Sequence, residues 1–281
     1  MMKPWLQLAR ISNLPTVWTN VTAAWLLTGG ALGDPRLYWL ILAGSLLYTG
    51  GMILNDAADA KFDREHRRER PIPSGQIGLQ TAWTVGIAML LIGATLATWF
   101  GANPRITAIL VAAIVFYDIY HKQWDGSVII MGACRMLLYL MAASAAPVAA
   151  LPAAVALGCY VVGITIAARL EHKSGLLPAA SSLLALALLY TPGIVFAMRF
   201  ASAGGYPMQL VILAAFAILI AYATQMLRKG GPAIGQAVGT LLAGIAIVDA
   251  LAVSSVSTTI ALGFVALAPL LRFWQRWVAA T

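Results

Sequence analysis

The chain has 281 residues, of which 61% are hydrophobic and 10% are charged. Soluble domains carry roughly 45–50% apolar and about 25% charged residues, so this composition excludes an ordinary soluble globular domain. The net charge of +8 does not indicate nucleic-acid binding, because membrane proteins concentrate basic residues in loops that stay in the cytoplasm. We therefore predict an integral, multi-pass membrane protein that contacts membrane lipids and no nucleic acid.

Ten apolar stretches follow one another along the chain, separated by short turns rich in Gly, Pro and Asn. Each is close to the roughly 17–25 residues that a helix needs to cross a bilayer. They cover residues 15–33, 36–54, 79–101, 104–120, 127–148, 151–168, 176–198, 206–227, 233–253 and 256–272. The pattern predicts an all-α, polytopic membrane bundle of nine to ten transmembrane helices, and nine applies if 233–253 is re-entrant.

Basic residues are distributed unequally between the two sides of this predicted bundle. If the N-terminus is cytoplasmic, the loops after the even-numbered stretches are cytoplasmic too. Together they hold all but four of the 18 basic residues. The exceptions are Arg36, Arg105 and Arg199 on the other side and Arg135 within a stretch. By the positive-inside rule, the N-terminus and the loops after the even-numbered stretches, which include the candidate active-site segments, are predicted to be cytoplasmic.

The most distinctive segment is Asn55–Asp63, where the second apolar stretch ends. Its three carboxylates, Asp56, Asp59 and Asp63, lie on one stripe of a helix, because their offsets are three and seven residues. Carboxylates on one stripe repel one another unless a cation lies among them. Mg²⁺ prefers such oxygen ligands, often shared with a substrate phosphate.

Basic residues that suit a diphosphate are interleaved with these acids. They are Lys61, Arg64, Arg67, Arg68 and Arg70. Guanidinium groups bind phosphate oxygens through paired hydrogen bonds. The segment therefore predicts a site for Mg²⁺ and a diphosphate, and the simpler alternative is a solvated, salt-bridged loop that caps a helix.

The same residues resemble a known signature. The run Asn55–Asp63 matches the N-D-x-x-D-x-x-x-D motif of the UbiA superfamily of intramembrane prenyltransferases, and Arg67–Gly75 resembles its R-x-x-R-P-[IL]-x-x-G continuation. Weaker similarity covers Arg10–Thr16 and Tyr117–Lys122. The resemblance implies one transmembrane prenyltransferase-like domain over residues 1–281, with a nine-helix core and an extra C-terminal helix at 256–276.

The resemblance also implies an activity. Such an enzyme transfers an isoprenyl group from an isoprenyl diphosphate donor to a small lipophilic acceptor, with Mg²⁺ as the cofactor. The metal ligands would be Asp56, Asp59 and Asp63. Further candidates for binding the diphosphate are Asn55, Arg67, Arg68, Lys122 and Lys173.

The chain departs from the family pattern after the sixth apolar stretch. Family members carry a second aspartate-rich motif there, roughly D-x-x-x-D, whereas this chain reads Arg169-Leu170-Glu171-His172-Lys173. A second Mg²⁺ site built from paired aspartates is therefore not predicted, and the missing motif resembles the divergent Ebo-type branch of the superfamily. Either the basic residues Arg169 and Lys173 neutralise the diphosphate in place of that metal, or ionisation has been lost. Arg169 is a catalytic candidate, and so is Glu171, for residual metal binding or acceptor deprotonation.

Arg135 is the third catalytic candidate. It stands about nine residues into the fifth stretch, where an unpaired charge costs at least ~2.5 kcal/mol. Reaching the inner face would take roughly 12 Å at 1.5 Å per residue, which exceeds the length of an arginine side chain. Arg135 is therefore predicted to face a cavity inside the bundle and to meet an anion or a carboxylate there. Asp249 is its expected partner if the role is structural.

Two other functions remain open at this point. A catalytically silent relative would bind or move a lipid or an isoprenoid-like metabolite, with Arg135 and Asp249 lining its path. An ion-coupled transporter would show internal repeats and broken helices in matched halves, and the sequence shows neither clearly.

Overall fold

The computed structural model describes residues 2–169, 179–203, 207–275 and 277. These residues form twelve α-helices and a 3₁₀ turn at Ile11–Asn13, and they include no β-strand. The helices are α1 (Met2–Leu8), α2 (Leu14–Leu27), α3 (Pro35–Ala58), α4 (Ala60–His66), α5 (Leu79–Trp99), α6 (Pro104–Tyr120), α7 (Ser127–Ala142), α8 (Pro147–Arg169), α9 (Ala179–Ala203), α10 (Pro207–Lys229), α11 (Pro232–Val253) and α12 (Thr258–Trp274). The predicted all-α class is confirmed.

Each of the ten predicted apolar stretches corresponds to one helix. The largest differences lie at the ends of α2 and α7, which stop at Leu27 and Ala142. Within the described residues, six helices are long and apolar enough to cross a membrane: α3, α5, α8, α9 (over Ser182–Ala201), α10 and α11. Both α7 and α12 are apolar but shorter. A multi-pass membrane protein is supported, whereas the count of nine to ten spans is not confirmed and stays a prediction.

Local sequence fixes where several helices begin. Pro35 and Pro104 occupy the first position of α3 and α6, where the missing N–H costs nothing. The preceding residues cap these helices, because the side-chain oxygens of Asp34 and Asn103 each accept a hydrogen bond of 2.9 Å from a backbone N–H two residues on.

Glycines let helices of the bundle approach closely. A Cβ at Gly86 of α5 would lie 2.6 Å from Cγ of Leu54 on α3, and one at Gly132 of α7 would lie 2.6 Å from the carbonyl oxygen of Gly158 on α8. Lipid is as apolar as the helix surfaces, so the hydrophobic effect does not drive helices together in a membrane. Close packing at small residues stabilises their association instead. Leu54 directly precedes the acidic segment, so the α3–α5 contact lies beside that segment.

The most enclosed helix is α11, which packs against α2, α8, α10 and α12. Next to it, α2 packs against α3 and α7, and α6 also contacts both α3 and α7. The C-terminal ends of α3, α6 and α8 and the start of α7 meet at one end of the bundle, as the contacts described below show. The acidic segment lies at that end.

Candidate active site

The three aspartates of the acidic segment are all buried. Asp56 lies in the last turn of α3, Asp59 in the junction with α4, and Asp63 within α4. The backbone N–H of Asp59 donates to the carbonyl of Asn55 (3.0 Å), and that of Asp63 donates to the carbonyl of Asp59 (2.9 Å). The helical turn therefore continues through the junction and keeps the carboxylates on one side. Their residues are 8%, 8% and 1% exposed, respectively, so each needs a nearby positive charge.

Two arginines supply positive charge to Asp56 and Asp63. Nη1 of Arg70 lies 2.9 Å from Oδ2 of Asp63 and 3.4 Å from Oδ1 of Asp56. Nη2 of Arg10 lies 3.5 Å from the same oxygen of Asp56. Arg10 has φ 43° and ψ 49°, a left-handed backbone conformation that is uncommon for a residue with a side chain. Such strain is often found at functional sites, and here it turns the chain between α1 and α2 beside the aspartates.

Asp59 is held by the end of α6. Nζ of Lys122 lies 2.8 Å from Oδ1 of Asp59, and Nε2 of His121 lies 3.4 Å from Oδ2. Lys122 also lies over the ring of Phe62, 3.7 Å from its centroid. Burial raises the pKa of the Asp59 carboxyl, but hydrogen bonds and charge from His121 and Lys122 outweigh burial and leave that pKa below its usual value.

A cavity of about 60 Å³ lies between α3, α6 and α7, next to this cluster. Its polar lining residues are Tyr48, Tyr117, Asp118, Cys134 and Arg135. The remainder of the lining is Leu, Ile, Met and Gly. The cavity therefore offers an apolar pocket with a few polar groups at its wall, as small-molecule sites usually do.

Asp118 and Asn55 connect the cavity to the aspartates. Both are buried, 5% and 6% exposed. Their side chains lie near each other, yet neither Oδ2 of Asp118 nor Nδ2 of Asn55 has a hydrogen-bond partner of normal geometry among the described residues. Oδ1 of Asp63 is also buried without a partner. Unsatisfied buried polar atoms are rare, and several at one place indicate a binding site for something else.

Arg135 faces the interior, as predicted, but it does not reach Asp249 directly. Its Nη1 donates to Oδ1 of Asn20 (2.8 Å) and its Nη2 to Oγ1 of Thr16 (3.1 Å). Nδ2 of Asn20 in turn donates to Oδ2 of Asp249 (2.7 Å). The expected pairing of Arg135 with Asp249 is therefore corrected to a bridge through Asn20, which ties α7, α2 and α11 together.

Two other predicted basic residues, Arg169 and Arg68, contact groups other than the aspartates. Arg169 donates to the backbone carbonyl of Asp125 (2.7 Å) and to Oγ of Ser127 (2.7 Å), in the α6–α7 loop and at the start of α7. Arg68 is exposed, and its Nε donates to the carbonyl of Arg64. Glu171 and Lys173 lie outside the described residues. The catalytic and diphosphate-binding roles of Arg67, Arg68, Arg169, Glu171 and Lys173 stay predictions.

Three residues at the site were not among the predicted candidates: Arg10, Asp118 and His121. Arg70 was predicted only as one of five basic residues interleaved with the acids. Arg10, Arg70 and His121 contact the aspartates, and Asp118 lines the adjacent cavity. All four stand inside segments that resemble the family pattern, so their positions carried a signal. The sequence alone does not show which of the neighbouring arginines Arg67, Arg68 and Arg70 reaches the aspartates.

The aspartates have the ligand chemistry that Mg²⁺ requires, although their oxygens are engaged by basic groups. Within the described residues, no group of three His, Cys, Asp or Glu side chains is arranged to hold a metal as it stands. Asp56, Asp59 and Asp63 are nevertheless hard carboxylate donors, and Oδ1 of Asp63 is free of any hydrogen bond. The metal-binding role of Asp56, Asp59 and Asp63 stays a prediction.

Comparison with known proteins agrees with the sequence signature. The sequence pattern of the UbiA prenyltransferase family matches residues 16–174. Digeranylgeranylglyceryl phosphate synthase of Metallosphaera sedula is 28% identical over 142 residues, which cover 49% of this chain and 50% of that enzyme. The chain thus spans about half the length of this curated relative.

Two solved structures share the fold. A UbiA homolog from Aeropyrum pernix K1, solved in its apo form, has a TM-score of 0.70 at 20% identity, covering 88% of this chain and 97% of the homolog. A UbiA homolog from Archaeoglobus fulgidus, solved with bound DMAPP and Mg²⁺, has a TM-score of 0.56 at 17% identity, covering 96% and 99%. At these identities the likeness shows the fold alone.

Proposed function

Since the chain belongs to the UbiA prenyltransferase family, we propose that it transfers an isoprenyl group from a polyprenyl diphosphate to a small lipophilic acceptor. The observation that carries this proposal is the cluster of buried aspartates and basic residues beside an apolar cavity. Carboxylates for a divalent cation and cations for phosphate oxygens lie together there, as a diphosphate donor requires. Assignment to the Ebo-type branch stays a prediction.

The ion pairs suggest how the donor is received. Asp56, Asp59 and Asp63 would hold Mg²⁺, which neutralises diphosphate charge and so makes it a better leaving group. Arg70 and Lys122, released from the aspartates, would then turn their N–H groups to phosphate oxygens, and Arg10 lies beside them. Each positive charge keeps a negative partner throughout, which is necessary where burial makes unpaired charge costly.

The cavity supports a division of the substrates between protein and lipid. Its volume of about 60 Å³ is well below the roughly 300–1,000 Å³ of sites that enclose a whole drug-sized ligand. It would therefore receive only the reactive ends of donor and acceptor. The isoprenoid chain would extend along apolar helix faces into the lipid, where it is soluble.

We propose that the site faces the cytoplasm. The segment after α3, which forms part of the site, carries the exposed basic residues Lys61, Arg64 and Arg68. Cytoplasmic loops carry an excess of Lys and Arg, so this distribution supports an inward-facing site.

Release of diphosphate tests the proposal. Purified protein with farnesyl or geranylgeranyl diphosphate should release diphosphate only when Mg²⁺ is present, and Asp59→Asn should lower that rate at least ~10²-fold, because the charge that places the cation is removed. Asp34→Asn is the matched control, since Asp34 pairs with Arg36 at the opposite end of α3. Release without Mg²⁺, or none from any donor length, contradicts the enzyme.

A silent, ligand-binding relative is the second candidate. Each of the three aspartates already contacts a basic side chain, so their charge is balanced without a metal. This candidate predicts that a prenyl diphosphate binds in the absence of Mg²⁺ and is recovered intact. The same assay separates the two functions when bound and released donor are both measured.

A further inference from the structure

Asp118 differs from the other carboxylates of the site. Asp56, Asp59 and Asp63 each contact a basic side chain, whereas Asp118 makes no ion pair with any described residue. It is 5% exposed and lines the cavity, and the Asn55 side chain lies beside it without forming a hydrogen bond of normal geometry to its Oδ2. A buried carboxylate in this state can accept further hydrogen bonds, and leaving them unmade is costly. Its position therefore favours a ligand that donates a hydrogen bond.

The position of Asp118 on α6 places it between the two halves of the site. It precedes His121 and Lys122 by three and four residues, so all three side chains lie on one face of the helix end. His121 and Lys122 contact Asp59 at the diphosphate cluster. Asp118 lies about one turn deeper, at the wall of the cavity.

The other polar groups of the cavity wall are less suited to bind an acceptor's reactive group. The Arg135 guanidinium donates to Thr16 and Asn20 and lies 5.2 Å from the centroid of the Tyr48 ring. Cys134 is a weak hydrogen-bonding group. Tyr117 offers a hydroxyl, and Asp118 is the one carboxylate among the described residues that line the cavity.

We propose that Asp118 binds the nucleophilic hydroxyl of the acceptor and receives its proton during transfer. This role rests on the proposed prenyl transfer. In the step, the acceptor oxygen forms a bond to C1 of the prenyl group while the bond from C1 to the diphosphate oxygen breaks. The diphosphate leaves with the electron pair of that bond, and the hydroxyl proton moves to Oδ2 of Asp118.

The same geometry specifies the acceptor's chemical class. An alcohol or phenol donates a hydrogen bond to Asp118 and places its oxygen beside the diphosphate cluster. An acceptor with a carboxylate next to its nucleophile would bring two like charges together in a buried cavity, which is unfavourable. We therefore assign acceptors whose reactive end is a neutral hydroxyl.

Water and ethanol serve as acceptors for the test, since both are hydroxyl nucleophiles small enough for the cavity. Unmodified protein, Asp118→Asn and Asp118→Glu are each incubated with Mg²⁺ and farnesyl diphosphate in dilute aqueous ethanol. The farnesol and the farnesyl ethyl ether that form are then measured. We expect Asp118→Asn to bind the donor within about twofold of the unmodified protein and to form both products ~10²-fold more slowly. Asp118→Glu should retain more product formation than Asp118→Asn, because it keeps a carboxylate.

The outcomes separate this role from the proposed function. Unmodified protein that binds donor but forms no product contradicts both. If the unmodified protein is active and Asp118→Asn is equally active, the role of Asp118 alone is overturned. The same holds if the donor affinity of Asp118→Asn falls in step with its rate of product formation. If Asp118→Asn does not fold, Asp118→Glu decides. A donor affinity and a rate of product formation that fall by the same factor in Asp118→Glu indicate a structural role and overturn the proposal. Asp34→Asn should leave donor binding and product formation unchanged.

Discussion

Arg70 is the residue that most directly stabilises the aspartate cluster. One guanidinium nitrogen contacts both Asp56 and Asp63, and the Asp63 side chain is only 2% exposed. Removing one partner of a buried ion pair typically costs ~3–5 kcal/mol, because the other charge is left uncompensated. Since the Arg70 side chain is itself 19% exposed, the cost here should fall below that range.

This reasoning gives a prediction for Arg70→Gln. We expect the variant to melt at a lower temperature than the unmodified protein in Mg²⁺-free detergent solution. Added Mg²⁺ should raise its melting temperature by more than it raises that of the unmodified protein, because the cation replaces the lost positive charge. Arg36→Gln, which removes an exposed ion pair at the other end of α3, should show no such gain. Equal Mg²⁺ effects on Arg70→Gln and the unmodified protein would argue against a cation at the aspartates.

Asp59 makes stability depend on pH. Its pKa in the folded protein is depressed, so its contribution is present above the unfolded-state value of about 3.9 and is lost as pH falls through the folded pKa. Lys122→Gln removes one of the groups that lower this pKa, while burial still raises it. We therefore expect the melting temperature of Lys122→Gln to fall less than that of the unmodified protein as the solution is acidified, because the folded and unfolded pKa values of Asp59 lie closer together in the variant.

Melting curves between pH 3 and pH 7, a range chosen to bracket the usual carboxyl pKa of about 3.9, measure this difference. Lys61→Gln removes an equal charge from an exposed position of α4 and should leave the acid loss of melting temperature unchanged. An identical acid loss in all three proteins would mean that Lys122 does not lower the Asp59 pKa.

At the scale of helices, much of the arrangement follows from the sequence because its causes are local. Apolar runs, Pro at the first turn and Asp34 or Asn103 as caps set helix positions without reference to the remainder of the chain. The stripe of Asp56, Asp59 and Asp63 is local in the same sense, since offsets of three and seven residues are enough to place it. The number of membrane-spanning helices does not follow from such local features, because several apolar helices are shorter than a bilayer-spanning segment.

Contacts between distant segments were not predictable in the same way. Which arginine reaches the aspartates depends on how residues 67–78 fold back, and the structure places Arg70 there. Asn20 gives no signal in an apolar run, yet it bridges Arg135 and Asp249, residues 115 and 229 positions away in sequence. Asp118 likewise looks like an interfacial residue at the end of α6 until α3 and α7 are packed around it.

The packing of α3 against α5 links helix association to the site. A Cβ at Gly86 would lie 2.6 Å from Cγ of Leu54, a buried residue next to Asn55. Gly86→Ala should therefore force Leu54 and the end of α3 to shift, at a cost of ~1–3 kcal/mol. We expect a lower melting temperature together with weaker binding of a prenyl diphosphate.

Gly263→Ala on α12 is the matched control. A Cβ there meets no atom within 4 Å, and alanine favours a helix interior over glycine by roughly 0.5–1 kcal/mol. This variant should be as stable as the unmodified protein or slightly more so. Unchanged stability and donor affinity in Gly86→Ala would show that the α3–α5 contact tolerates a methyl group and does not position the acidic segment.

At the scale of the whole molecule, charge and chemistry coincide at one end of the bundle. The aspartate cluster, the Lys122 region and the Arg169–Asp125 pair all lie there, whereas the Asp34–Arg36 pair lies at the opposite end of α3. Donor diphosphates carry several negative charges and do not cross a bilayer, so the face that holds the site must face the compartment that supplies them. The proposed donor and the positive-inside rule therefore support the same proposed orientation.

Cysteine labelling in intact cells tests this orientation. With Cys134 and Cys159 replaced by Ser, single cysteines are placed at Glu65 in α4 and at Gly33 before α3, both of which are exposed. A membrane-impermeant maleimide should label Gly33→Cys in intact cells and should label Glu65→Cys only after the membrane is permeabilised. The reverse pattern would place the aspartate cluster outside the cytoplasm. Labelling of both positions after permeabilisation is the control for accessibility, because it shows that protection of Glu65→Cys in intact cells comes from the membrane and not from the fold.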